Sequence, residues 1–177
     1  MTFAIAHREP DGTAVLDLVR EFTPPFGIEN TVAEIASIAK AYRLPHVWGD
    51  AYAGEFAREP FRRNQVIYKL SEKRKNHFDK ETQYSKSEIY RDTLPLFNTG
   101  KVRWLDNRRL VNQLCSLERQ TARGTGRESI DNPRKPGAHD DLANAACGAL
   151  VFAESKRPLY VHPSVLARSY GAGRSWS

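Results

Sequence analysis

The run Ala145-Ala146-Cys147-Gly148-Ala149-Leu150-Val151 constrains the fold most. Small and apolar residues without a break read as a helix that is buried rather than laid on the surface. His139-Asp140-Asp141 opens this run, after the loop residues Pro136-Gly137. One Asp at a helix start is a cap: its oxygen accepts from orphan N–H groups and meets the positive end of the helix dipole. Two exceed what a cap needs. Paired acids at the mouth of a buried helix also suit a hard divalent cation, which takes oxygen ligands and high charge.

The rest of the chain alternates strand-like and helix-like segments. Thr2 to His7 and Thr13 to Phe22 read as strands joined by the turn Glu9-Pro10-Asp11-Gly12, with Asp-Gly as the hairpin signal. Thr31-Val32-Ala33-Glu34 has the form of a capping box, and Val32, Ile35, Ile38, Ala39 and Tyr42 recur at helical spacing, which predicts a helix over 29–42. Residues 46–50 read as a short strand ending in Asp50, 53–61 as a short helix and 65–70 as another strand. Ser85-Lys86-Ser87-Glu88 is a second capping box, opening a helix to about Phe97 with Gly100 as the stop. Lys86 could line the site, yet its capping-box position predicts plain solvent exposure. Lys101 to Leu105 reads as a strand. Asp106 or Asn107 then caps a helix carrying Leu110, Val111, Leu114 and Leu117 on one face. Residues 124–137 form a loop or small hairpin, and the last helix runs to about Ser155. This order predicts an α/β fold, a mixed central sheet flanked by helices. It forms one domain over 1–157, followed by a loose tail over 158–177.

The 177 residues suffice for one domain with a core. The net charge of +6 is modest, but the basic residues cluster, and clustering matters more for nucleic-acid contact than the total. Arg58, Arg62, Arg63, Lys69, Lys73, Arg74 and Lys75 crowd one stretch, diluted by Glu72, Asp79 and Glu81. Arg119, Arg123, Arg127, Arg134 and Lys135 crowd another, just before the acidic pair. Arg123, Arg127, Arg134 and Lys135 are therefore candidate phosphate contacts. Cys115 and Cys147 form no CxxC pair, which argues against a zinc site and suits a reducing cytoplasm. No apolar stretch is long enough to span a bilayer.

Asp50 ends a strand, where ligand sites of open α/β sheets lie, and Gly49, Ala51 and Ala53 around it leave room for a close approach. Brought together with Asp140 and Asp141, it would form a carboxylate cluster whose mutual repulsion calls for a cation.

Several motifs occur in order: Ile5-Ala6-His7-Arg8-Glu9, Arg20-Glu21-Phe22-Thr23-Pro24-Pro25-Phe26, Trp48-Gly49-Asp50-Ala51-Tyr52-Ala53-Gly54, Lys86-Ser87-Glu88-Ile89-Tyr90, Leu94-Pro95-Leu96-Phe97-Asn98, Gln113-Leu114-Cys115-Ser116-Leu117-Glu118-Arg119 and His139-Asp140-Asp141-Leu142-Ala143-Asn144-Ala145. Over residues 3–155 this set resembles the C-terminal nuclease domain of terminase large subunits of tailed phages and prophages. The resemblance implies an RNase H-like fold, a pair of Mg²⁺ or Mn²⁺ ions, and hydrolysis of double-stranded DNA during genome packaging in the cytoplasm of a bacterial host. It also implies a terminase small subunit, a portal and a linked ATPase domain as partners. It assigns metal binding to Asp50, Asp140 and Asp141, and places His139 where a histidine commonly precedes the acids.

The resemblance departs at the start of the chain. The family's first metal-binding aspartate lies on a first strand upstream of Thr2, and neither Asp11 nor Asp17 matches it. No GxxxxGK[ST] phosphate loop occurs either. The chain reads as the nuclease domain with its first strand missing. The alternative is an inactive prophage remnant that acts at most as a DNA-binding or assembly module.

Overall fold

A computed structural model describes residues 1–49, 51–70, 85–121, 128–133 and 139–155, with backbone alone at 51–55 and 155. In chain order the elements are β1 (Thr2–Arg8), β2 (Ala14–Glu21), α1 (Ile28–Ala41), β3 (His46–Gly49), α2 (Ala51–Arg63), β4 (Ile67–Leu70), α3 (Lys86–Asn98), β5 (Val102–Arg103), α4 (Arg108–Cys115), β6 (Glu118–Thr121), β7 (Glu128–Asp131) and α5 (Asp141–Ser155). The mixed α/β architecture matches the expectation. The expected tail over 158–177 lies outside the described residues.

β1 and β2 form the expected antiparallel hairpin. Its turn is closed by Asp11, whose carboxylate accepts from the Thr13 N–H at 2.9 Å, while Gly12 takes a φ of +88° that favours glycine. β5 adds in parallel to β2 through Ala14 and Val15, so the sheet order is β1-β2-β5. β3 and β4 pair in parallel across α2. β6 and β7 make a separate antiparallel hairpin. Among the described residues no strand joins the β1 sheet to the β3 sheet.

β1 sends alternate side chains to opposite sides, as a strand's period of two dictates. Ala4 and Ala6 pack on a core of Leu142, Ala143, Ala146, Cys147 and Leu150 from α5 with Ile89, Tyr90 and Leu110 from α3 and α4. Phe3 packs on a second core of Val32, Ile35, Ala36 and Ala39 from α1 with Val47, Ala57, Phe61 and Val66. The expected buried helix is α5, and its small residues let it lie close against the strands. No helix among the described residues is long and apolar enough to cross a membrane.

Several local expectations need correction. α1 starts at Ile28 behind Gly27 without a side-chain cap, so Thr31-Glu34 is not its capping box. Thr31 is buried within the helix, and Glu34 instead accepts from Arg20 on β2 at 3.1 Å. β5 keeps two residues of the five expected, since it touches β2 only at its start. α4 ends at Cys115, so Leu117 falls outside it, and 118–121 becomes the first strand of the β6–β7 hairpin. By contrast, the Ser85–Glu88 capping box forms in both directions, and Asn107 caps α4 by accepting from the Leu110 N–H at 3.0 Å.

Candidate functional site at the start of the last helix

Asp140 occupies the position just before α5, yet its carboxylate does not cap that helix. The cap comes from α4: the Gln113 side-chain oxygen accepts from the N–H groups of Leu142 at 2.9 Å and Ala143 at 3.1 Å. These are the orphan donors that a residue at the helix start normally satisfies. Gln113 is itself buried. The Asp140 carboxylate is thereby released to face α3.

Lys86 and Tyr90 sit four residues apart on α3, hence on one face of it. The Tyr90 hydroxyl donates to Asp140 Oδ2 at 2.9 Å. The Lys86 ammonium lies 3.0 Å from Oδ2 and 3.3 Å from Oδ1 of the same carboxylate. It also donates to Asp131 Oδ1, at the end of β7, at 2.5 Å. Ser87 ties the same corner together, accepting from the Ile130 N–H at 2.9 Å. The Asp140 side chain is only 8% exposed and that of Lys86 is 34% exposed. A carboxylate so desolvated needs a compensating charge, and here the chain supplies it.

The electrostatics follow this geometry. Burial, reinforced by the charge of Asp140, pushes the Tyr90 hydroxyl far above its ordinary range, so it stays a donor. Partial burial of Lys86 favours the neutral amine, but its bonds to Asp131 and Asp140 outweigh that and hold the ammonium above its ordinary value. Deeper in α5, burial pushes the Cys147 thiol up to about 12.

The two acids of the pair face different surroundings. Asp141 is exposed, and its backbone carbonyl accepts from the Thr2 hydroxyl at 3.1 Å, which pins β1 to the head of α5. His139 is exposed. One turn further, Asn144 Oδ1 is buried with no hydrogen-bond partner among the described residues. The oxygens of Asp140, Asp141 and Asn144 are the right donor type for a hard cation, and the orphaned Asn144 oxygen is what such an ion or a water would satisfy. Among the described residues, however, no three His, Cys, Asp or Glu side chains form a group that would hold a metal.

Asp50, Arg123, Arg127, Arg134 and Lys135 lie outside the described residues. The segment before Asp50 is described. Trp48 stacks on Phe152 with ring centres 5.6 Å apart. Phe152 lies eleven residues beyond Asp141, about 16 Å along the helix axis, so β3 docks on the far half of α5. The room expected at Gly49 is already taken: a Cβ there would overlap the Tyr68 hydroxyl.

One expectation about this corner is overturned. Lys86 is not a plain solvated residue, because its side chain lies between two carboxylates. The expected cluster with Asp50 falls outside the described residues; at Asp140 itself the Lys86 ammonium supplies a compensating charge. The sequence reading also missed Gln113 as a cap and Asp131 as the second acid. Each acts across a gap in sequence that no local pattern spans. The one usable signal was the Lys86–Tyr90 spacing, which puts both side chains on one helix face.

The described basic residues are largely paired. Arg62 and Arg63 bond Glu59, and Arg63 reaches Glu29. Arg119 bonds Glu128 across the β6–β7 hairpin.

No protein-family profile matches the chain, and no curated protein matches it in sequence. Among solved structures, the chain is similar to the large terminase nuclease from thermophilic phage G20c, with a TM-score of 0.56 and 13% identity. The match covers 85% of this chain and 80% of that one. At that identity the likeness is one of fold.

Proposed function

We propose that this chain is a nuclease-like, DNA-acting domain of the terminase kind, with the head of α5 as its working site. The observation that carries this reading is the Asp140 carboxylate, desolvated at the mouth of a buried helix whose cap is provided by another residue. Capping is the ordinary task of an acid at this position. This one is held away from that task and aimed by Tyr90 and Lys86. The fold likeness to a phage terminase nuclease supports the same reading.

In its finer form, the domain cuts double-stranded DNA during genome packaging with Mg²⁺ or Mn²⁺, held by Asp140 and Asp141 together with Asp50. When bound, such ions supply an acidified water and charge stabilisation at the leaving oxygen. The chain's own contribution is positional. Tyr90 fixes the orientation of Asp140, Gln113 keeps the helix head closed, and Asp141 stays open to solvent. Arg123, Arg127, Arg134 and Lys135 draw in the DNA backbone, and the small subunit, portal and ATPase domain are the partners of that setting.

A second reading is a DNA-binding or assembly module that does not cut. The neutralisation of Asp140 by Lys86 and the docking of β3 on the far half of α5 favour it. Nicking of supercoiled plasmid in Mn²⁺ decides between them. The nuclease reading expects nicking that is lost in Asp140→Asn and Asp141→Asn. Cutting that survives both substitutions removes this site, and DNA binding without cutting by the unaltered chain selects the second reading.

A further inference from the structure

We propose that Lys86 is the resident counter-cation of Asp140, and that a divalent ion reaches this carboxylate only by displacing the lysine. The inference rests on the reading of Asp140 as a metal-holding acid and adds the event that must precede loading.

Both oxygens of Asp140 are engaged on the side facing α3. Oδ2 accepts from Tyr90 at 2.9 Å and lies 3.0 Å from the ammonium, which also reaches Oδ1 at 3.3 Å. Coordination to Mg²⁺ or Mn²⁺ needs a carboxylate oxygen at about 2.0–2.2 Å, on the lone pairs the ammonium now engages. An ammonium has donors and no lone pair, so it cannot join the coordination sphere. A divalent charge placed beside it would repel it strongly at this low exposure. One of the two cations has to go.

The lysine has somewhere to go. It is the first residue of α3, on a four-carbon stem, and its side chain is one-third exposed. Its departure would free the Asp140 oxygens for an incoming ion; on the same first turns of α5 stand the exposed Asp141 and Asn144, whose Oδ1 is buried without a partner among the described residues. That orphaned oxygen is independent of the Lys86 pairing, and the lysine leaves it unsatisfied. In this arrangement the chain's own ammonium is the cation beside Asp140.

The test is Mn²⁺ titration calorimetry on the whole chain, without DNA, for the unaltered protein, Lys86→Met, Asp140→Asn and the double variant. Lys86→Met should bind Mn²⁺ about tenfold more tightly or better, and Asp140→Asn should cancel that gain. Equal, weaker or absent binding by Lys86→Met overturns the proposal. A measurement on the unaltered chain guards against misfolding of the variant. Mass-spectrometric acylation of Lys86 should speed up as Mn²⁺ is added, because the freed amine becomes accessible, and an unchanged rate overturns the proposal equally. Neither readout involves cleavage. A chain that passes both and never nicks DNA keeps the cation exchange and loses the nuclease reading. A chain that nicks DNA while Lys86→Met gains no affinity loses only the exchange.

Discussion

The core around α5 and the core around α1 and α2 lie on opposite sides of β1, and both hold fully buried apolar side chains such as Leu110 and Leu150 in one and Val32 and Val66 in the other. They differ in the polar groups buried with them. Thr93, Gln113 and Asp140 are buried in the α5 layer, whereas Thr31 is the buried polar residue on α1. A buried polar group is costly unless paired, and in the α5 layer Thr93, Gln113 and Asp140 each pair with a group from another part of the chain or another turn, while Asn144 Oδ1 has no partner among the described residues. The α1–α2 side serves as scaffold. The α5 side carries a polar arrangement that packing alone does not require.

The largest expected effects bear on whether the two cores are equally well packed. Leu110→Ala and Ile35→Ala should each cost about 2–5 kcal/mol by chemical denaturation, because each empties a buried site. A much smaller loss for Leu110→Ala would mean that the α5 layer is loose and that its polar contacts are incidental. The next largest effect is at the borrowed cap. Gln113→Leu keeps an apolar stem but orphans the N–H groups of Leu142 and Ala143, and should cost about 1–3 kcal/mol.

The pH dependence sharpens the contrast further. The folded-state value of Lys86 is raised, so its stabilising contribution is complete below the ordinary lysine value of 10.5 and is lost as pH rises through the folded value. Stability should therefore fall in alkali, and Lys86→Met should flatten that fall in a pH series of unfolding curves. The smallest effect is a gain. A Cβ on Gly148 meets only Ile89 Cδ1, at an ordinary 3.9 Å, so Gly148→Ala should stabilise α5 by about 0.5–1 kcal/mol. Thiol labelling of the native chain gives a check without mutation: exposed Cys115 should react at pH 8, while Cys147, buried and pushed up to about 12, should react only on unfolding.

The elements that the sequence predicted correctly are those specified within a few residues. The Asp11-Gly12 turn, the Ser85–Glu88 capping box, the Asn107 cap and the apolar run of α5 each carry their cause in their own segment. The Thr31–Glu34 pattern had the same form and failed, because the chain enters α1 one turn earlier at Gly27 and Glu34 finds Arg20 on a neighbouring strand. The site was legible only in part. Asp140 stood out, but its role did not, since the residues that free it, fix it and neutralise it are Gln113, Tyr90 and Lys86, 27 to 54 positions away. Local spacing carries no information about contacts of that range.

Asp140 is balanced from within the chain by Lys86. A double-mutant cycle on Lys86→Met and Asp140→Asn, read by denaturant unfolding without added metal, isolates that pair. The expected coupling is about 1–3 kcal/mol, with the double variant losing clearly less than the two single losses combined, because removing both charges leaves no buried ion uncompensated. Losses that simply add, within about 0.5 kcal/mol, mean that the two side chains do not balance one another.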